Sequence, residues 1–225
     1  MLQVNIAVVI PALDEASEIE KAVSSAAGPD VDVIVVDGGS RDGTREAARS
    51  AGARVLNAQR GRARQLQVGF EASKSDVVLF LHADTCLPGG WEAAVAAALE
   101  NPETVGGAFR LEFDERGLRM RILEWAARLR IALFAFPFGD QGIFVRRSVL
   151  DEIGGVPDVP IMEDADMVRD MKRLGRLALL PISATTSARR YREGGIARTS
   201  VIHIFALAAW GVGIDRGRLA GWLDR

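Results

Sequence analysis

Val31-Asp32-Val33-Ile34-Val35-Val36-Asp37, running on into Gly38-Gly39-Ser40-Arg41-Asp42-Gly43-Thr44, is the stretch on which the reading of the fold turns. The run Val31–Val36 is aliphatic almost throughout, as expected of a strand covered on both faces. It ends on a carboxylate, turns through glycines and re-enters a helix near Thr44. The same unit recurs on either side. Upstream, Val4–Ile10 is a second aliphatic run, followed by Glu15–Ala27 with helical spacing of Ile19, Ala22, Val23 and Ala26. Downstream come a weak strand at Ala53–Leu56, a helix over Gly61–Ser73, a strand at Val77–Leu81 and an alanine-rich helix at Trp91–Glu100. Strand and helix alternating through short links predict an α/β fold, a Rossmann-like, mostly parallel sheet with helices on both faces.

Beyond Pro102 the pattern loosens. Ala108–Phe113 alternates like a strand with one solvated face, and Leu118–Phe134 reads as a basic amphipathic helix. A strand at Gly142–Val145, a loop at Val156–Pro160 and a helix from Glu163 to Leu174 follow. No repeat or low-complexity linker divides the chain, so residues 1–225 read as one domain. About 1–101 would form a nucleotide-binding half, and about 102–225 an acceptor half with C-terminal helices.

Composition narrows the function. The 225 residues are 48% hydrophobic and 26% charged, ample for a sizeable core. Lys and Arg total 28 against 30 Asp and Glu, a net charge of −2, which argues against nucleic-acid binding through a broad basic surface. The single Cys86 leaves no intrachain disulfide and no cysteine-based zinc cluster, and a reducing, cytoplasmic setting is expected. The start carries neither a basic leader nor a cleavable signal pattern. The apolar runs Ile131–Phe138 and Ile204–Ile214 fall short of the roughly 20 residues a membrane span needs. Ile196–Ile214, flanked by Arg198 and Arg216, reads as a buried helix, with a membrane-surface role as the alternative. His203 reads as structural.

In open parallel sheets ligands sit beyond the carboxyl ends of the strands. Polar residues gather at those ends: Asp14 and Glu15, Asp37, then His82 and Asp84. A dinucleotide-binding dehydrogenase would also end its second strand on an acid, as Asp37 does. Its first turn, however, needs glycines so that backbone N–H groups can approach a pyrophosphate. Here that turn is Pro11-Ala12-Leu13-Asp14-Glu15, glycine-free and doubly acidic, and no GxxxxGK[ST] loop exists either. Acidic strand ends can hold an anionic nucleotide diphosphate only through a divalent cation. Asp84 is placed to ligate Mg²⁺ or Mn²⁺, and Asp37 to accept hydrogen bonds from a base or ribose. Arg60, Arg62 and Arg64 either neutralise phosphates or merely solvate a helix start.

Taken in order, Pro11–Glu15, Val36–Thr44, Leu81-His82-Ala83-Asp84, Gly139-Asp140-Gln141-Gly142-Ile143-Phe144 and Met162-Glu163-Asp164 resemble the successive motifs of family 2 glycosyltransferases with the GT-A fold. The likeness covers roughly residues 4–192 and is greatest to the small bacterial branch of arsenosugar-biosynthesis-type glycosyltransferases. It implies an inverting, metal-dependent transfer of one sugar from a nucleotide-sugar donor, most often a UDP-sugar. Pro11, Ala12, Leu13 and Glu15 would cradle the nucleoside, and Asp37, with Gly38, would meet the base. Arg64, His82, Ala83, Asp140 and Gln141 would also face the donor, Asp84 would hold the metal and diphosphate, and Asp164 would be the general base.

Two departures stand out. Asp14 replaces the usual Asn, and His82-Ala83-Asp84 replaces Asp-x-Asp, which removes one carboxylate. A neutral imidazole would suit Mn²⁺ better than Mg²⁺, although His82 reads first as a hydrogen-bonding strand-end residue. The acidic trio Glu163, Asp164 and Asp166 is also what a helix N-terminus favours on its own. Asp140 and Gln141 lie between glycines and fit a turn equally well. Arg189, Arg190 and Arg192 could form a loop closing over the diphosphate or a solvated charge run. Trp125 and the phenylalanines near it, with Arg119, Arg121, Arg128 and Arg130, could pack in the core or dock on a membrane. A small metabolite, a glycan and a lipid phosphate are all open as acceptor. A nucleotidyltransferase and a catalytically silent nucleotide-sugar binding protein are the alternatives.

Overall fold

The structure, a computed structural model, describes residues 4–134 and 136–223, the side chains of 132, 197, 203, 204 and 221–223 excepted; His203 thus falls outside the described side chains. Along the chain come β1 (Ile6–Ala12), α1 (Ile19–Ala26), β2 (Val31–Asp37), α2 (Thr44–Ser50), β3 (Arg54–Asn57), α3 (Arg62–Ala72) and β4 (Val77–Phe80). Then follow β5 (Thr85–Cys86), α4 (Trp91–Ala98), β6 (Thr104–Phe113), α5 (Leu118–Phe134), a 3₁₀ turn at Gly139–Gln141 and β7 (Ile143–Arg146). The chain continues through α6 (Arg147–Ile153), α7 (Glu163–Leu174), β8 (Arg176–Thr186), α8 (Arg189–Gly194), α9 (Ile196–Gly211) and α10 (Arg216–Leu223).

Among the described residues the strands form one sheet in the order β3-β2-β1-β4-β7-β6-β8-β5. β3, β2, β1 and β4 are parallel, as the aliphatic runs predict. β7 runs antiparallel to both its neighbours, β6 and β8 pair in parallel, and β5 caps β8 antiparallel. The order of strands reverses between β1 and β4, which opens a crevice at their carboxyl ends.

The side-chain period of two sorts the strand residues onto two cores. Ile6, Val8 and Ile10 face α1 and α4 through Ile19, Val23, Trp91 and Val95. Ala7 and Val9 face the other way, onto Leu66 and Phe70 of α3 and Met167 and Met171 of α7. Helices therefore cover both faces of the central strands, and β1, β2 and β4 are apolar on consecutive residues because neither face of them meets water. Truncating a fully buried member such as Leu79 to Ala would cost about 2–5 kcal/mol.

The second half differs from expectation in three places. β6 starts four residues earlier than the alternation suggests and is buried without a break over Thr104–Phe109, because β7 and β8 flank it and helices cover it. Only from Arg110 onward does it alternate exposed and buried. β8 is unexpected despite its aliphatic Leu177–Leu180, because it contains Pro181, which cannot donate to a ladder. The β6–β8 register slips between Ala108 and Arg110, opposite the stretch from Leu179 to Ser183, so the proline falls in an irregularity. Third, residues 189–194 form a short helix, α8, rather than a loop.

Asp166 ties the C-terminal helices down. Buried on α7, it accepts hydrogen bonds from Trp210 Nε1 of α9 at 2.9 Å and Arg216 Nη2 of α10 at 3.0 Å, with Arg169 also 2.9 Å away.

β6 can be sandwiched so closely only because it opens with glycines. A Cβ at Gly107 would lie 2.1 Å from the Ala178 carbonyl oxygen, backbone that cannot yield without opening the β6–β8 pair. Gly107→Ala is expected to lower stability by about 1–3 kcal/mol in urea unfolding. Gly89→Ala, where a Cβ meets nothing within 4 Å, should stay within about 0.5 kcal/mol of the parent. Equal midpoints for the two would refute this account of the sheet.

Candidate functional site

The loop after β1 and the glycine-rich loop after β2 are laced together. Asp14 adopts φ 53°, a left-handed conformation that Asp tolerates better than most side chains. Its N–H donates to Ser40 Oγ at 2.9 Å, and its Oδ1 accepts from the Arg41 N–H at 2.7 Å. Glu15 N–H donates to Thr44 Oγ1 at 2.8 Å and Ala16 N–H to Asp42 Oδ2 at 3.0 Å. The Thr44 hydroxyl, bonded to Asp42, holds that carboxyl below its ordinary range. Asp37, 1% exposed, accepts the N–H groups of Gly39 and Ser40 at 3.0 and 3.1 Å. These bonds fix the course of both loops before any ligand arrives.

Two adjoining clefts lie at the crevice between β1 and β4. The first, about 280 Å³, is lined by Pro11, Ala12, Leu13 and Glu15 from the first loop and His82, Ala83 and Asp84 from the end of β4. Arg60, Gly61, Arg62 and Gln65 close one side and Arg190 of α8 the other. Gln65 is buried and donates its amide to the carbonyls of Ala12 (2.9 Å) and Val36 (2.7 Å), satisfying the frayed ends of two strands at once. Arg189, the neighbour of Arg190, pairs with Glu15 at 2.6 Å and so latches α8 across the first loop.

The second cleft, about 140 Å³, is lined by Phe138, Gly139, Asp140, Met162, Asp164 and Ala206 and shares Arg62, His82 and Arg190 with the first. Asp164 Oδ2 accepts the Gly139 N–H at 2.9 Å, and Oδ1 accepts the Ala165 N–H at 2.8 Å. Each oxygen keeps a second lone pair. Glycine is required at 139 because a Cβ there would lie 2.7 Å from His82 Nε2.

Arg62 joins the two clefts. It donates to the buried Glu163, approaches Asp164 Oδ2 at 3.7 Å and points Nη1 at His82 Nε2, 3.2 Å away. Burial works against its charge, but Glu163 and Asp164 outweigh burial and hold the guanidinium protonated. A guanidinium has no acceptor, so His82 Nε2 must offer its lone pair, with the proton on Nδ1. Burial, then the charges of Arg62 and Arg190, push the His82 pKa well below 6.5, in accord with a neutral ring.

The donor set bears on a divalent cation. Asp84 is nearly buried, and its carboxylate makes only long contacts, 3.5 Å to Thr85 Oγ1 and 3.9 Å to Arg190. No group of three or more His, Cys, Asp or Glu side chains able to hold a metal converges among the described residues. Asp84 therefore fits an ion only as one ligand among oxygens brought by a bound phosphate. His82 has its Nε2 engaged by Arg62 and would have to surrender that bond to join.

The sequence model of Glycosyl transferase family 2 matches residues 7–154. The chain belongs to glycosyltransferase family 2. A curated relative, glycosyltransferase AglE of Haloferax volcanii, is 26% identical over 176 residues, which are 68% of this chain and 56% of that protein; the chain thus spans little more than half the relative's length. Among solved structures, glucosyl-3-phosphoglycerate synthase from Mycobacterium tuberculosis with Mn²⁺, UDP and phosphoglyceric acid superposes with TM-score 0.65 and 24% identity over 94% of this chain and 80% of that one. Another, described as a mycobacterial protein, gives TM-score 0.59 at 25% identity over 82% of this chain and 65% of that one. These likenesses bear out the GT-A fold read from the sequence.

Within this family 2 chain, the residues singled out from sequence divide. Pro11, Ala12, Leu13, Glu15, His82, Ala83 and Asp84 line the first cleft together, and Asp140 and Asp164 line the second. Asp37 and Gly38 line neither; Asp37 spends its carboxylate on its own loop. Arg64 also lies outside both, turned toward Asp158 at 3.4 Å and Gln59 at 3.2 Å, because it sits two residues along α3 from Arg62 and so on another face. Gln141 is fully buried and committed: its Oε1 accepts from Arg130 and Phe138, and its Nε2 donates to Phe109 O. Arg62, rather than Arg64, is the arginine of this helix that reaches the site, and Gln65 has no signal beyond helical spacing. Helix geometry read from Gly61 onward could have found Arg62 and Gln65, since 62, 65 and 66 share a face, whereas Glu163 stands in the acidic run that opens α7.

Asp140 carries a measurable signature. Burial raises its pKa from 3.8 to about 6, with Arg130 opposing the shift and Asp164 adding to it. Between about pH 4 and 6 the unfolded chain gives up this proton while the folded chain keeps it. Stability should therefore fall as pH rises through that window and level off above about 6. In Asp140→Asn, urea unfolding at stepped pH should show a correspondingly shallower slope; an unchanged slope would assign the proton elsewhere.

Proposed function

We propose that this chain transfers a single glycosyl unit from a nucleotide-sugar donor, a UDP-sugar, to an acceptor hydroxyl with inversion at the anomeric carbon. The observation that carries this reading is the pair of joined clefts. One ends on Asp84, a strand-end carboxylate with spare coordination; the other ends on Asp164, a carboxylate with free lone pairs; Arg62, His82 and Arg190 lie between them. The first takes the nucleoside diphosphate, and the second takes the acceptor.

Asp84 would hold Mn²⁺ or Mg²⁺ together with oxygens of the diphosphate, and the ion would supply positive charge to the leaving group. The remaining work belongs to the protein. Arg190 and Arg60 lie along the first cleft, where phosphate charge develops. Asp164 takes the proton from the acceptor hydroxyl as its oxygen attacks the anomeric carbon from the face opposite the diphosphate. The Gly139 and Ala165 N–H groups orient that carboxylate. Neutral His82, accepting from Arg62, keeps the guanidinium aimed between the two sites. The sequence has no Gln-x-x-Arg-Trp motif of the kind usual in processive members of the family, which supports transfer of a single sugar. The lone, half-buried Cys86 fits a cytoplasmic setting.

Two variants test the assignment. Asp164→Asn keeps an acceptor for the Gly139 N–H, so the fold and the donor-induced rise in Tm should persist while kcat falls about 10²–10⁴-fold. Asp84→Asn should abolish the Mn²⁺-dependent part of the UDP-induced shift. Parental turnover by Asp164→Asn would remove it as the base. Release of pyrophosphate from a nucleoside triphosphate and a sugar phosphate would turn the reading to a nucleotidyltransferase, and donor binding without any transfer to a silent binding protein.

A further inference from the structure

Helix α5 is not amphipathic in the simple sense its sequence suggests. Its inner side packs Met120, Ala127 and Ile131 toward the body of the protein, while Glu124 accepts the Phe113 N–H at 3.0 Å. Its outer side is apolar too. Leu118, Ile122, Trp125, Leu129 and Leu133, spaced four, three, four and four residues apart, form one stripe down the length of the helix. They are 76%, 55%, 62%, 41% and 64% exposed, a run of large apolar side chains left uncovered by the described residues. Exposed arginines border the stripe, Arg119 on one edge and Arg121 and Arg128 on the other.

Helix α9 meets the same region at its ends. Ile196 at its start joins the apolar cluster that includes Met120, and Trp210 near its end packs at a tilt against Phe136, just past the α5 terminus, at 5.2 Å between ring centroids. Val201 and Val212 on α9 are 64% and 77% exposed.

We propose that the outer face of α5 docks on the surface of an anionic lipid bilayer. Charge chooses this occupant over a second copy of the chain. Pairing two α5 stripes would set Arg119, Arg121 and Arg128 of one copy against the same arginines of the other, with no acid on the outer face of the helix to answer them. The nearby acids Glu112, Glu115 and Glu124 line a groove along the Arg121 and Arg128 edge of the stripe, with Glu124 turned to the Phe113 N–H and Glu115 to Arg192 at 3.5 Å. A bilayer meets both features at once: acyl chains take the leucines and the tryptophan, and anionic headgroups take the arginines. The helix lies in the interface and does not cross it, since no helix among the described residues is long and apolar enough to span a membrane.

Docking there bears on the site. Arg130, on the inner side of the same helix, donates to Gln141 Oε1 at 3.0 Å and to Phe136 O at 3.0 Å, and sits 3.7 Å from the centre of the Phe138 ring. It thereby braces the turn that carries Asp140 into the second cleft. The bilayer would lie about one helix diameter, roughly 10 Å, from that turn.

The test is co-sedimentation of the full chain with vesicles of phosphatidylcholine alone or with phosphatidylglycerol at 30 mol%, a proportion of order one lipid in three. Binding to the anionic vesicles, weakened by salt and absent from the neutral ones, is expected. Trp125→Glu/Leu129→Glu should lower the bound fraction at least tenfold, and Arg121→Ser/Arg128→Ser should weaken binding roughly 25-fold at low salt, about fivefold per arginine. Since all these side chains are exposed, the variants should keep the parental Tm and the parental UDP response, so loss of docking is separable from loss of the donor site. No binding to anionic vesicles at low salt overturns the proposal. So does binding that survives Trp125→Glu/Leu129→Glu, or a dimer in light scattering that these substitutions dissolve.

Discussion

Arg62 sits where the two halves of this protein meet, and much of the site depends on where its guanidinium is held. It rises from the first turn of α3, a helix that belongs to the parallel, nucleotide-type half. Its partners Glu163 and Asp164 begin α7, in the second half, and His82 follows β4 between them. One side chain thus bonds across about a hundred residues of sequence. Three acceptors around a single cation in a partly closed space leave each member few alternatives. Glu163 is buried with this arginine as its charge partner, His82 is held neutral by burial and by the charges of Arg62 and Arg190, and Asp164 is oriented but not consumed. An uncompensated carboxylate at Glu163 would be costly, which is why the pair persists.

The same economy appears in the loops. Ser40, Asp42 and Thr44 carry polar groups that face the neighbouring loop and satisfy its backbone N–H groups, while Asp37 does the same within its own loop. A ligand meeting Pro11–Glu15 therefore encounters a surface whose shape is already set, with little ordering left to be done on binding. On the far side, α8 is held by Arg189 on Glu15 and α9 and α10 by Asp166, so the cleft walls from the C-terminal segment are anchored through charges. Charge pairs of this kind are more readily exchanged than packed apolar contacts. A phosphate entering beside Arg190 meets a group whose contact with Asp84, at 3.9 Å, is loose.

What could be read from sequence follows from periodicity. β1, β2 and β4 are buried on both faces, so their residues are apolar in unbroken runs, and α1, α3 and α7 bury stripes at helical spacing. The carboxyl ends of those strands could be named as the site because parallel sheets place ligands there. β8 could not be read in the same way. Only Leu180, Ala184 and Thr186 of it are buried, Pro181 falls in a register slip, and its partners β6 and β5 lie about seventy to a hundred residues away. Nor could the buried half of β6, whose glycines are chosen by the closeness of Phe144 and Ala178 and not by any local pattern.

The sequence by itself therefore determined the strand–helix alternation, the family, and the membership of Pro11–Glu15, His82–Asp84 and Asp164 in one region, since each of these is a property of local spacing at a strand or helix end. Only the tertiary structure decided which polar groups are available there. Asp37 and Gln141 have the chemistry of ligand-binding residues yet lie buried outside both clefts, Asp37 bonded to its own loop and Gln141 to Arg130 and backbone groups, and Arg62 displaces Arg64 because a helix rotates about 100° per residue. A hydrogen bond can be made once by each lone pair or proton, and sequence lists those atoms without saying which of them folding has already engaged.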